Sequence, residues 1–253
     1  MLYLIGIGLK PRHLTQEALE TLKSCERVYM ENYTSAYSEG GFEQIEDMIG
    51  KAVTRLDRKQ VEEGFGPVFE EARAKDIALA VFGSPFSATT HVQILLDAEK
   101  AGVKAKAIPG ISVFEYVPFT GLERYKFGRT TSIVFHEEQY EPESFYDAIM
   151  ENREMGLHTL CLLDIRSDEG MMMDIRHAIS LLESIEEKRE ESTISESILV
   201  GIAGAGSASE QVKAGHADAL RKFNFSAFPQ ALIVCGKLNE KEIEALRVLG
   251  DLK

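Results

Sequence analysis

Tryptophan is absent from the 253 residues, cysteine occurs three times, and 28 lysines and arginines face 41 carboxylates. Each shortage excludes something. A formal charge of −13 gives a surface whose averaged field repels a phosphate backbone, so nucleic acid is not expected as a direct partner. Arg124, Lys126 and Arg129 form the one basic loop cluster of note, and they read as a solvated linker. Cys25, Cys161 and Cys235 are far apart and match no metal spacing such as C-x-x-C, which argues against a disulfide framework and against zinc. Cys161 and Cys235 lie inside apolar runs, where a free thiol behaves as a small hydrophobe, and a reducing compartment follows. No apolar run approaches the ~18 residues of a membrane span. Residues 1–9 lack the basic start and long apolar stretch of a signal peptide and read instead as a strand. The expectation is a soluble cytoplasmic protein without membrane contact or metal.

Apolar residues make up 44% of the chain and charged residues 27%, values of a globular protein, and the length suits two domains. Residues 2–7 form a short apolar run ending in Gly6-Ile7-Gly8, and Leu14, Ala18, Leu19 and Leu22 then recur at helical spacing. Strand 27–31 and a helix over 42–49 follow. Residues 57–75 are charged, with Val61, Phe65, Val68, Phe69 and Ala72 three or four apart, which predicts one surface helix. The unalternating run 77–82 predicts a strand covered on both faces, ending at Gly83-Ser84-Pro85. A helix over 89–101, closed by Gly102, and a strand over 103–108, ending at Pro109-Gly110-Ile111-Ser112, complete the first half.

Alternating strands and helices predict a parallel sheet with right-handed crossovers, whose strand-end turns gather on one edge, where such sheets bind ligands. The polar stretch 120–128 reads as the connection between a domain over 1–120 and another over 121–253. In the second half, strands are expected at 131–135, 158–165, 198–203 and 231–234, and helices at 145–155, 171–188 and 240–249. The fold class is α/β: two α/β domains with a ligand cleft between them.

Gly6-Ile7-Gly8-Leu9 after a first strand has two readings. Glycines there let a backbone approach a pyrophosphate, but Pro11 stands where a dinucleotide fingerprint has its third glycine, and Glu31 is the nearest acid for a ribose. The same turn suits a ligand without phosphate, such as S-adenosylmethionine, because small residues permit close main-chain contact. A tight turn with no ligand stays open on this motif alone.

Larger blocks are more specific. Residues 1–9, Gly83-Ser-Pro-Phe-Ser-Ala-Thr-Thr-His91, Tyr125-Lys-Phe-Gly128, His158-Thr-Leu-Cys-Leu-Leu-Asp-Ile165 and Gly201-Ile-Ala203 follow in an order that resembles the diphthine synthase family, on the tetrapyrrole-methylase fold. The resemblance runs to about residue 237. It implies S-adenosylmethionine as cofactor, translation elongation factor 2 as protein substrate and a homodimer. By motif, it implies cofactor contacts at Leu9, Ser84, Ser87, Ser112 and Val113 in the first half and at Leu163, Ala205 and Gln230 in the second. Three positions depart from the family pattern: Ser84 stands for an aspartate, Gly204 for an arginine and Gln230 for a histidine.

His91 and His158 lie in the matching blocks, and each reads as a packing or hydrogen-bonding residue in preference to a base. Asp164, at a strand end, reads as an acid or as the residue that orients the next loop. Met171-Met172-Met173 reads as the start of a helix with core-filling side chains. No catalytic residue is assigned, since displacement at a sulfonium depends mainly on positioning. Two alternatives remain: a precorrin-type tetrapyrrole methylase, and a relative that binds without turnover.

Overall fold

The computed structural model describes residues 1–138, 140–167 and 169–253, and contains two compact units. Residues 1–115 with 166–170 form the first, and residues 116–165 with 171–253 form the second.

In the first unit, β1 (Leu2–Gly6), β2 (Arg27–Glu31), β3 (Val53–Leu56), β4 (Ile77–Val81) and β5 (Ala105–Ile108) make one sheet in the order β3-β2-β4-β1-β5, and every pairing is parallel. Its helices are α1 (Gln16–Ser24), α2 (Phe42–Ile49), α3 (Arg58–Glu62), α4 (Gly66–Ala72), α5 (Val92–Lys100) and the short α6 (Val113–Tyr116) at its end. Thr15 caps α1 by accepting the Ala18 N–H, and Gly50 and Gly102 close α2 and α5 with φ of 71° and 67°. β4 is buried along its whole length, as its unalternating apolar run demands. Its residues divide between two cores: Ile77, Leu79 and Val81 pack with Leu2, Leu4, Val68 and Phe69, whereas Ala78 and Ala80 pack with Ile5, Ile7 and Leu22.

One expected helix is two. The stretch read as 57–75 breaks at Gly64 and restarts at Gly66-Pro67, because glycine weakens a helix interior and proline suits only a first turn. Its apolar face is nevertheless buried as the spacing requires: Val61, Phe65, Val68, Phe69 and Ala72 all point into the core.

The second unit contains β6 (Thr131–Ile133), α7 (Ser144–Glu154), β7 (Thr159–Leu163), β8 (Ile165–Arg166, shared at the boundary), β9 (Met171–Met172), α8 (Ile175–Arg189), β10 (Leu199–Ala203), β11 (Gln211–Gly215), α9 (Ala217–Lys222), β12 (Gln230–Val234) and α10 (Glu240–Leu249). Its sheet runs β11-β10-β12-β7-β6. Only β6 and β7 pair in parallel; the other pairings are antiparallel. The Met171 segment is therefore no helix start. Met171 and Met172 are extended, and α8 begins after Asp174, whose carboxylate accepts the His177 N–H as an N-cap.

The stretch 120–128 is not a solvated linker. Thr120 and Leu122 are buried, and Lys126 pairs with the fully buried Glu242 of α10. Glu242 also accepts the Glu123 N–H at 3.1 Å and the Asn239 N–H at 3.0 Å, and lies 3.0 Å from His158 Nε2. His158 Nδ1 in turn accepts the Gly236 N–H, so the ring is enclosed by partners on both nitrogens. Burial by itself would raise the Glu242 pKa; the bonds from Lys126, Asn239, His158 and Glu123 outweigh it and hold it at about 2. Burial, reinforced by Lys126, pushes the His158 pKa down against the pull of Glu242.

Glu242 has a depressed folded-state pKa, so its stabilisation is complete above the ordinary carboxylate value of 4.5 and disappears as pH falls towards 2. Replacing it by glutamine is expected to lower unfolding free energy at pH 7 by on the order of 2 kcal/mol, after allowance for solvent screening. The gap between wild type and Glu242→Gln should close as the pH is lowered to 3 and below. Denaturant titrations at pH 7, 5 and 3 check this; an equal gap at pH 7 and pH 3 overturns it.

Candidate functional site

In the first unit the ends of β4, β1 and β5, neighbours in the sheet, bring three turns into backbone contact. Gly8 and Gly83 exchange main-chain hydrogen bonds at 3.1 and 3.0 Å. A β-carbon on Gly6 would lie 2.5 Å from the Gly110 nitrogen and 2.7 Å from the Gly83 oxygen, and one on Gly110 would lie 2.2 Å from that same oxygen. No side chain fits there. Gly8 and Gly83 also hold φ of 75° and 65°, the left-handed region that glycine tolerates. The three glycines that the sequence places at strand ends thus pack main chain against main chain, and the residues that follow each of them emerge on one sheet edge.

Five expected contact residues sit on that edge. Leu9 follows the first turn and is half-buried. Ser84 is half-buried, and its hydroxyl oxygen accepts the Gly110 N–H at 3.4 Å, which ties the second turn to the third. Ser87 closes the same turn, its N–H donating to the Ser84 carbonyl at 3.1 Å. Ser112 is buried, and both its N–H and its hydroxyl donate to the Glu115 carboxylate, at 2.7 and 2.6 Å. Val113, half-buried, begins α6 beside it.

The three residues expected from the second half also share an edge of their own sheet. Ala203 pairs with Gln230 across β10 and β12, Ala231 pairs with Leu162 across β12 and β7, and Leu163 and Ala205 lie just beyond. Leu163 and Ala205 are buried. The Gln230 side chain is turned inward: Oε1 accepts the Ile175 N–H at 2.9 Å, and Nε2 donates to the Ala227 carbonyl at 3.1 Å. What Gln230 offers a ligand is therefore main chain. Gly204 has φ of 60°, and a β-carbon on it would meet that of Ala227 at 2.6 Å, so this chain packs the segment around a glycine.

Asp164 accepts the Phe135 N–H at 3.2 Å, which orients the segment leaving β6. His158 is enclosed as described. Glu31, the nearest acid for a ribose, is wholly buried, and its Oε1 accepts bonds from Thr34 and from the Phe82 N–H.

One cluster escapes the sequence reading. The Glu31 carboxylate lies 3.3 Å from His91 Nε2, and the Tyr33 hydroxyl lies 3.4 Å from the same nitrogen, all at the carboxyl end of β2. Burial, aided by the neighbouring Glu31, pushes the Tyr33 phenol far up, so it stays protonated. Two signals point to this cluster in the sequence: a glutamate ending an apolar strand, and a histidine ending the Gly83 block.

The model of the family described as Tetrapyrrole (Corrin/Porphyrin) Methylases matches residues 1–221. A diphthine synthase of Methanocaldococcus jannaschii is 40% identical over 253 residues, covering 98% of each chain. A diphthine methyl ester synthase 2 of Candida albicans is 37% identical over 271 residues, covering 100% of this chain and 91% of its own. A crystal structure of diphthine synthase superposes with a TM-score of 0.91 at 33% identity, over 100% of this chain and 97% of the other. Two α/β units of this architecture, strand-end glycine turns on a parallel edge and an alignment that runs almost end to end lead to one placement: the chain belongs to the tetrapyrrole methylase family and, within it, to the diphthine synthases.

Proposed function

We propose that the protein transfers methyl groups from S-adenosylmethionine to the amine of the carboxy-aminopropyl group on the modified histidine of translation elongation factor 2, giving diphthine. The observation that carries this reading is the 40% identity sustained over 98% of both chains, because the fold alone is shared by methylases with unrelated acceptors. It favours a protein acceptor over a precorrin.

The residues present fit the cofactor. The Gly6, Gly83 and Gly110 turns bring the half-buried Ser84 and Ser87 and the buried Ser112 to one strand-end edge, and short hydroxyl side chains suit a zwitterionic ligand that needs short polar contacts. Leu9 and Val113 add apolar surface for an adenine face. The family resemblance adds Leu163, Ala205 and Gln230 as contact residues from the second half of the chain. When bound, the cofactor supplies a methyl carbon on a sulfonium, open to in-line displacement. The contribution of these residues is placement, which for such a displacement supplies most of the rate. The proton of the attacking amine leaves to solvent, and no base is assigned.

Incubating elongation factor 2 that carries the unmethylated intermediate with the protein and S-adenosylmethionine is expected to give a mass increase on the modified histidine. Its size distinguishes trimethylated diphthine from its further methyl ester. Cofactor binding without any mass increase would favour a binding relative, for which Ser84, Gly204 and Gln230 would be the place to look.

Ser84 supplies a sharper check. Pro85 fixes the turn, and Ser84 already bonds Gly110. A carboxylate in its place has two oxygens, one for the Gly110 N–H and one for the ligand's ammonium group. Ser84→Asp should raise affinity for S-adenosylhomocysteine by up to roughly tenfold in calorimetric titration, the size of one charge-assisted hydrogen bond. Equal or weaker binding would remove Ser84 from the contact set.

We also infer a homodimer in the cytoplasm. Phe119, Val248 and Leu249 leave apolar area exposed on the second unit, which self-association would cover. Light scattering should give twice the chain mass at micromolar concentration; a monomer overturns this.

A further inference from the structure

On the first unit, α3, the 63–66 turn, α4 and the start of α5 enclose a cavity of about 400 Å³ that none of the proposed cofactor contacts lines. Phe65 and Phe69 give it aromatic walls, with their rings 5.1 Å apart and edge to face. Glu62, Glu63 and Asp97 supply its charge, and no lysine or arginine lines it. Asp97 is satisfied by Lys100 and Gln93, whereas no ion pair is formed by Glu62 or Glu63 among the described residues; Arg58, one turn before Glu62, lies over the Tyr33 ring instead.

His91 forms part of the wall, although it is 1% exposed. Its Nε2 faces Glu31 and Tyr33, and its Nδ1 has no hydrogen-bond partner among the described residues. Glu31 Oε2 likewise makes no hydrogen bond of good geometry, although it lies 3.3 Å from His91. Buried polar atoms left unmet are rare and call for a partner. Here two such atoms lie in adjacent side chains behind a carboxylate-rimmed aromatic cavity.

The complement of these features is a group that brings several N–H donors, a positive charge and an apolar stem. We propose that the cavity holds the ammonium end of a lysine-type side chain of the protein substrate, flanking the histidine that is methylated. The identity of that occupant rests on the proposed function; the affinity of the cavity for an alkylammonium does not. The aromatic faces of Phe65 and Phe69 attract the cation, and Glu62 and Glu63 attract it from the rim. In the tautomer that points Nε2–H towards Glu31, His91 Nδ1 accepts one N–H. The end of β2, which holds Glu31, lies two strands from the end of β1, about 10 Å, on the same sheet edge as the glycine turns. A residue flanking the acceptor can span that distance.

The test has two arms. First, n-butylammonium is titrated into the full-length protein with ¹⁵N-labelled histidine, and the His91 ring signals are followed, assigned by their loss in His91→Gln. A saturable shift that Glu62→Gln/Glu63→Gln abolishes is expected. No shift, or the same shift in the double variant, overturns the site. Second, the double variant, whose changes are on exposed side chains, should raise KM for elongation factor 2 about tenfold, the effect of losing one well-formed charge contact, with S-adenosylhomocysteine affinity unchanged. A His91 response to butylammonium with unchanged KM overturns the assigned occupant. Absence of turnover by the wild type counts against methyl transfer and against this occupant, and leaves the first arm to decide the cavity.

Discussion

The strand-end edge of the first unit depends on how closely three backbones approach one another at the end of one sheet. Gly6 ends β1, Gly83 follows β4 and Gly110 follows β5, and any of Gly6 or Gly110 with a β-carbon would drive it to within 2.8 Å of a neighbour's main chain. That approach is possible only because β4, β1 and β5 are adjacent and parallel, so that their carboxyl ends finish at one level. The hydrogen bonds between Gly8 and Gly83, and from Gly110 to Ser84, then fix the turns to one another. The proposed ligand edge is therefore built from sheet order and glycine position, and side chains add detail to it.

The same logic explains why the second unit offers main chain too. Gln230 begins β12, the strand flanked by β10 and β7, yet its amide is engaged by Ile175 and Ala227. It stitches the start of α8 to the loop before β12. The position keeps its register opposite Ala203 at the end of the sheet. Gly204 and Gln230 are both built into the local packing: a β-carbon at Gly204 would meet Ala227, and the Gln230 amide is held by internal hydrogen bonds.

Legibility in the sequence followed burial. β2 over Arg27–Glu31 and α2 over Phe42–Ile49 have the bounds that their periodicity indicates, because each commits a clear apolar set to a core; α10 over Glu240–Leu249 also has its expected bounds, although Leu246 alone of its apolar residues is fully buried. Two strands had no such signal. β3 buries only Leu56 fully, and β11 contains Gln211 and Lys213; both are edge strands, held by main-chain pairing that leaves no pattern in side-chain type. The glycine turns were legible because φ and close approach restrict them to glycine. The Lys126–Glu242–His158 network was not, since its members are separated by up to 116 residues and a charged loop reads as solvated until its partner is seen to be buried.

That network and the Glu31–His91 pair also show how buried polarity divides between architecture and function. Glu242 accepts four bonds and His158 has a partner on each nitrogen, so nothing is left over for a ligand; the cluster holds the 120–128 stretch against α10. Glu31 and His91 are as deeply buried, but each retains an unmet atom, and His91 borders a cavity rimmed by Glu62, Glu63 and Asp97. A half-satisfied polar pair costs stability that a purely structural role would not explain, because apolar residues of the same shape would pack there without that penalty. The two histidines come from equally distinctive sequence blocks and are indistinguishable as letters. What separates them is the count of partners that the fold supplies to each ring, and it is His91, with one nitrogen still open, that has chemistry to offer.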